Sequence, residues 1–85
     1  ALDAITKEGL QLALLDIWSL QKMTVLFVTH DIEEALFMSD KVVMMSPRPG
    51  RIKREIPISF ERPRLRELKT EPIFQDMRRE LLMEL

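Results

Sequence analysis

The sequence predicts an α/β fold made of a short parallel βαβ unit, an antiparallel hairpin and a C-terminal helix. Three observations carry that expectation. Thr24-Val25-Leu26-Phe27-Val28-Thr29 is a β-branched run with an unbroken apolar centre, the pattern of a strand covered on both faces in a parallel sheet. Eleven residues, His30 to Asp40, separate it from a second apolar run at Lys41-Val42-Val43-Met44-Met45-Ser46. That is close to the shortest crossover that joins parallel strands, and such a crossover should be right-handed. Beyond it, Pro47-Arg48-Pro49-Gly50 is a strong turn followed by an alternating stretch, which reads as the return strand of a hairpin.

In order along the chain, Asp3 is an N-cap whose carboxylate can accept from first-turn amides. The helix it opens runs over about residues 4–20, with Leu10, Leu14, Ile17 and Trp18 on one face at helical spacing. Leu12 and Leu15 widen that face, which implies burial against more than one neighbour. Gly9 inside it costs about 1 kcal/mol relative to Ala. After the first strand, Asp31-Ile32-Glu33-Glu34 has the form of a capping box and opens a short helix through Met38. Pro49-Gly50 suits the centre of a type II turn, with Gly taking the positive φ. In the return strand Ile52, Arg54, Ile56 and Ile58 share one face, and Pro57 limits it to an edge. Arg62-Pro63-Arg64 reads as a linker. From Pro72 to Leu85, Ile73, Phe74, Met77, Leu81 and Leu82 mark a terminal helix.

A chain of 85 residues, 46% hydrophobic and 32% charged, is globular in balance and buries a modest core. The absence of cysteine excludes disulfides and thiolate metal sites and agrees with a reducing compartment. No apolar run is long enough to cross a bilayer. The strand at 24–29 needs covering layers that so short a chain barely supplies. Together with Ala1 in place of an initiator methionine, this leads to the expectation of a fragment of a larger domain.

His30 is the only histidine and follows a strand's carboxyl end, where open α/β sheets bind ligands. By position alone it reads as either a structural histidine or a polar finger toward a phosphate. Asp31, Glu33 and Glu34 beside it lack the ligand set of a metal site and are explained by the helix cap and dipole. Between Pro47 and Arg66 stand seven basic residues against two acidic, a net +5 that leaves −6 on the rest of a chain whose total is −1. Without interleaved aromatic residues this stretch reads as a solvated basic face, with no nucleic acid as partner. The six methionines read as fillers of core gaps.

Taken together, Ala1-Leu2-Asp3-Ala4, Thr24 through His30-Asp31, Glu34-Ala35 and Pro47-Arg48-Pro49-Gly50-Arg51-Ile52 resemble the C-terminal part of the ATP-binding subunit of an ABC transporter. The Pro-Arg-Pro-Gly-Arg-Ile stretch resembles the nitrate/sulfonate/taurine importer branch. The fold this implies is a piece of a P-loop NTPase-type ATPase domain. Residues 1–60 would carry the D-loop, the switch-histidine region and the hairpin, and residues 61–85 the C-terminal linker and helix. Asp3 matches the end of the D-loop, at the interface of two nucleotide-binding subunits. His30 matches the switch histidine that contacts the γ-phosphate and helps place the attacking water. The Walker A loop, signature motif and Walker B carboxylates of such proteins are absent from these residues. Gln21-Lys22-Met23 carries no glycine where relatives often have one.

The resemblance implies a parent ATPase that uses ATP and Mg²⁺ to drive import, with a second nucleotide-binding subunit and membrane permeases as partners. It would lie in the cytoplasm, peripheral on the inner face of the membrane. The 85-residue chain by itself is expected to be inactive and to bind neither ATP nor Mg²⁺ tightly. The alternative is a stand-alone interaction module that self-associates through its apolar strand.

Overall fold

The computed structural model describes residues 3–47 and 50–84, with only the backbone of Ala4. Helix α1 spans Ala4–Gln21, α2 Ile32–Met38 and α3 Pro72–Leu82, with a 3-10 turn at Arg66–Thr70 before α3. Strands β1 (Lys41–Met45) and β2 (Ile52–Pro57) pair antiparallel. The mixed α/β class, the hairpin and the three helices agree with the sequence reading. Ala1, Leu2, Arg48, Pro49 and Leu85 lie outside the described residues. So do the start of the D-loop match, half of the Pro49-Gly50 turn and the last residue of the expected terminal helix.

The first strand differs. Residues 23–29 form no strand, and the hairpin is the sheet found among the described residues, so no parallel βαβ crossover is formed there. Leu26 is 92% and Val28 86% exposed. An apolar strand gains its stability from a ladder on its edges and from layers above and below, and the described residues offer neither. The radius of gyration, 13.2 Å, exceeds the roughly 12 Å of a compact chain of this length, in keeping with the bared apolar surface.

In α1 the Asp3 carboxylate accepts from the Thr6 amide at 2.7 Å, as its N-cap position predicts. The buried face is rotated from the expected one. Gln11 and Leu15 are buried and Leu12, Leu14 and Trp18 half-buried, while Leu10 and Ile17 are half exposed. The helix closes at Lys22, whose positive φ of 48° sends its N–H to the Trp18 carbonyl. This is the left-handed position that glycine favours.

In the hairpin Val42 faces Ile56 and Met44 faces Arg54, and an irregularity at Met44/Met45 brings Ile52 opposite Met45. A bulge of this kind breaks the two-residue alternation. Ile56 and Ile58 therefore reach the core while Ile52 stays exposed. Gly50 has φ +71°, the value that the turn demands of glycine.

The core is made by Leu15, Leu36, Phe37, Met38, Met44, Ile56, Ile58, Phe74 and Leu81. Helix α3 contributes Phe74 and Leu81 and leaves Ile73 and Leu82 outward. The Phe60 and Phe74 rings stack at 5.7 Å. Of the methionines, Met38 and Met44 fill the core as expected, whereas Met23, Met45 and Met83 are exposed.

Candidate functional site

Helix α2 organises the site. Asp31 caps it, its Oδ1 accepting from the Glu34 amide at 3.3 Å. The reciprocal half of the capping box is made by a different residue: the Asp31 amide donates to Thr29 Oγ1 at 3.0 Å. Glu34 turns instead to α1. Its carboxylate accepts from Gln11 Nε2 at 3.1 Å and lies 3.9 Å from Lys7 Nζ. His30 is the residue just ahead of the cap; it is exposed and, among the described residues, holds no hydrogen bond.

The two sequence-predicted residues are connected through Lys7. Its amide donates to the Asp3 carbonyl at 3.0 Å, and its ammonium reaches Asp31 Oδ2 at 3.1 Å. The start of α1 is thereby tied to the residue adjoining His30. Burial opposes ionisation of Asp31, yet the Lys7 ammonium and the Glu34 amide outweigh it and hold the carboxyl below its usual range. Asp3 is also held low, chiefly by the Thr6 amide. The Lys7 ammonium is raised, first by its bond to Asp31. Lys7 is 43% exposed, so the pair serves more to register the helices than to stabilise them.

The network continues from Gln11 Oε1 to Lys69 Nζ at 2.8 Å in the 3-10 turn. These groups line a polar pocket of about 250 Å³. Beside it, a groove of about 440 Å³ opens between α1, α2 and Phe27. The Phe27 ring meets Trp18 edge-on at 6.2 Å, which anchors the loop before His30 onto α1. Among the described residues no cluster of three His, Cys, Asp or Glu is placed to hold a metal ion.

The basic segment is not a uniform solvated face. Arg54 bridges from β2 to Glu84 at 2.6 Å and Glu80 at 3.1 Å. Arg66 lies 3.4 Å from Glu8, and Arg62 donates to Asp40 at 2.9 Å. Arg64 is only 4% exposed. Its guanidinium donates to the carbonyls of Phe37 at 3.1 Å, Leu36 at 3.3 Å and Ser39. The stretch read as a linker also clamps α2. The available signal was the absence of a basic residue in the last turn of α2, since the free carbonyls of a helix end need donors from somewhere.

No family model matches the chain. Individual relatives do. It is 43% identical over 84 residues to the aliphatic sulfonates import ATP-binding protein of Bacillus licheniformis, a match covering 99% of this chain and 32% of that one. It is 52% identical over 84 residues to the nitrate import ATP-binding protein of Synechococcus elongatus, covering 96% and 31%. The chain is a homologue of ABC transporter ATP-binding import proteins. An uncharacterised ABC transporter ATP-binding protein of Methanocaldococcus jannaschii is 55% identical over 64 residues, or 75% of this chain and 24% of that one. The chain thus spans about a third or less of the length of these ABC relatives. The sulfonates match takes in all but one of the 85 residues, so Asp3 and His30 both fall within it.

Proposed function

We propose that the chain is the C-terminal segment of the ATP-binding and hydrolysing subunit of an ABC importer of the nitrate/sulfonate/taurine type, energising solute uptake in the full-length protein. Residues 1–60 carry the D-loop and switch-histidine region with the hairpin, and residues 61–85 the C-terminal linker and helix. The observation that supports this best is His30: an exposed imidazole just ahead of a pinned helix cap, in a sequence matching nitrate and sulfonates import ATP-binding proteins nearly end to end.

ATP and Mg²⁺ do not fit a site made by these residues alone. The two glycines, Gly9 in α1 and Gly50 in the hairpin turn, build no phosphate-cradling loop. The first turn of α2 carries Glu33 and Glu34 behind the Asp31 cap, a field that repels anions. What this chain brings toward a nucleotide is one donor, the His30 imidazole, suited to negative charge on a terminal phosphate oxygen. Asp3 belongs to the interface with a second nucleotide-binding subunit, and the permease subunits complete the assembly. The protein then works in the cytoplasm on the inner face of the membrane; no described helix is long and apolar enough to cross it.

The test is ATP hydrolysis by the full-length protein and its His30→Ala variant. Removing one donor of this kind lowers kcat by about 10²–10³-fold, and the 85-residue chain alone hydrolyses no ATP. Undiminished turnover in His30→Ala would refute the role of His30.

A second reading is favoured by one observation. Ile5, Leu20, Leu26 and Val28 are each more than four-fifths exposed, more bare apolar surface than a monomer comfortably carries. The isolated chain should therefore self-associate, acting as an interaction module without ATPase activity. Sedimentation at micromolar concentration decides this: oligomers that dissolve on a paired Leu26→Lys, Val28→Lys substitution support it, and a stable wild-type monomer refutes it.

A further inference from the structure

We propose that Arg64, assisted by Arg62, is a positioning residue for His30 and acts through α2. The inference rests on the functional role proposed for His30 and adds what holds that residue in place.

Helix α2 has seven residues, too few to persist by its own hydrogen bonds. Its N-terminal end is fixed by Asp31, which caps Glu34 and meets Lys7. Its C-terminal end is fixed by two arginines. Arg64 takes the carbonyls of Leu36, Phe37 and Ser39, and Arg62 takes that of Met38 at 3.1 Å. Four consecutive carbonyls, the groups a helix end leaves without partners, are thereby filled from one short segment. The second terminal nitrogen of Arg64 holds the Phe60 carbonyl at 3.3 Å, and the guanidinium lies 6.0 Å from the Phe60 ring centre.

This is a costly way to cap a helix. The Arg64 side chain is 1% exposed, and its Nε is buried without a partner. Burial, reinforced by neighbouring Arg62 and partly offset by Asp40, pushes the guanidinium down to about 10, still charged at neutral pH. A buried charge is weak evidence of stability and is better explained by the geometry it fixes. Here one terminal nitrogen gathers the three α2 carbonyls while the other holds that of Phe60, so the planar fork fixes the end of α2 against the segment after β2. A rigid two-turn rod transmits that setting to its other end, where His30 adjoins the cap. Lysine, a point charge without a fork, cannot hold the α2 carbonyls and that of Phe60 together.

The experiment uses the full-length protein with Arg64→Lys, Arg62→Gln and His30→Ala, singly and combined. Amide hydrogen exchange without nucleotide reads the clamp directly: Arg64→Lys should speed exchange across residues 32–38 by about tenfold or more, with the rest of the protein unchanged. ATP turnover reads the positioning: Arg64→Lys should lower kcat by about tenfold at unchanged KM for ATP. Arg62→Gln, on a more exposed side chain, should act the same way but less. In the His30→Ala background Arg64→Lys should lower kcat less than about twofold, because residues acting as one unit are not additive.

An equal loss in both backgrounds would overturn the proposal and leave Arg64 a structural residue. So would unchanged exchange or unchanged kcat in Arg64→Lys. Full activity in His30→Ala alone would remove the role of His30, and with it any positioning role. That outcome is separate from the others because it is read on the single variant.

Discussion

Phe74 and Ile73 are adjacent apolar residues on α3, one buried and the other exposed, which makes them an informative pair. Phe74 has no exposed surface and its ring stacks on Phe60 at 5.7 Å, whereas Ile73 is 60% exposed. Truncating Phe74 to Ala removes the ring from between α3 and the core and leaves a cavity, a loss of about 3–5 kcal/mol. Truncating Ile73 removes little buried surface and improves helix propensity, so the change stays within about 0.5 kcal/mol. A domain of this size has roughly 4–13 kcal/mol of stability to lose, and the bared apolar residues place this chain toward the lower end. Urea unfolding followed by far-UV circular dichroism separates the cases. With a slope near 1 kcal/mol/M for a small protein, Phe74→Ala should lower the midpoint by about 3–5 M or abolish the cooperative transition, and Ile73→Ala should barely move it. If the two variants unfold within about 0.5 kcal/mol of each other, α3 does not pack through Phe74 and the core assignment is wrong.

The two glycines should respond in opposite directions to alanine. A Cβ at either would meet nothing within 4 Å, but only Gly50 has a positive φ. Gly9→Ala should therefore stabilise by about 0.5–1 kcal/mol and Gly50→Ala destabilise by about 1–2 kcal/mol, read as shifts of the urea midpoint. The Asp31 carboxyl titrates lower when folded than its ordinary 3.8, so the stability it adds is complete above that value and drains as pH falls through the folded value. Melting temperature measured from pH 7 down to pH 2 should fall less steeply below pH 4 in Asp31→Asn than in the wild type; equal acid slopes would show that the Lys7 pair contributes nothing.

What the sequence disclosed follows how local each cause is. Caps are decided within four residues, and both Asp3 and Asp31 act where their spacing placed them. Helix and hairpin positions follow from periodicity and turn chemistry, and Gly50 takes the positive φ that its turn required. Side-chain destinations are set by contacts distant in sequence. Arg64 meets Leu36 and Phe37 across 28 and 27 residues, Gln11 meets Glu34 across 23, and no short window encodes either pairing. Even within the hairpin one bulge was enough to turn Ile52 away from the face it shares with Ile56 in an ideal strand.

The disagreement over residues 24–29 is of another kind, because there the sequence carries more information than the described residues can use. Alternation would have suited a strand with one wet face, yet Val25, Leu26, Phe27 and Val28 run without a polar break. Such a run is favourable only where apolar layers lie on both sides and ladder partners on the edges. In the structure Phe27 alone of the four makes an aromatic contact, with Trp18, while Leu26 and Val28 stand bare. Leu10 and Ile17 on α1 are half exposed as well. Bare apolar surface thus lies on α1 and the loop before His30, as it does on the hairpin at Ile52 and on α3 at Ile73, whereas α2 buries Leu36, Phe37 and Met38 and is held at both ends. A body that covers Leu26 and Val28 contacts the loop leading to His30, and its docking would order that loop from the N-terminal side. Covering these residues should therefore slow exchange in the loop at 23–29 without altering α2, whose restraints are already complete within the chain.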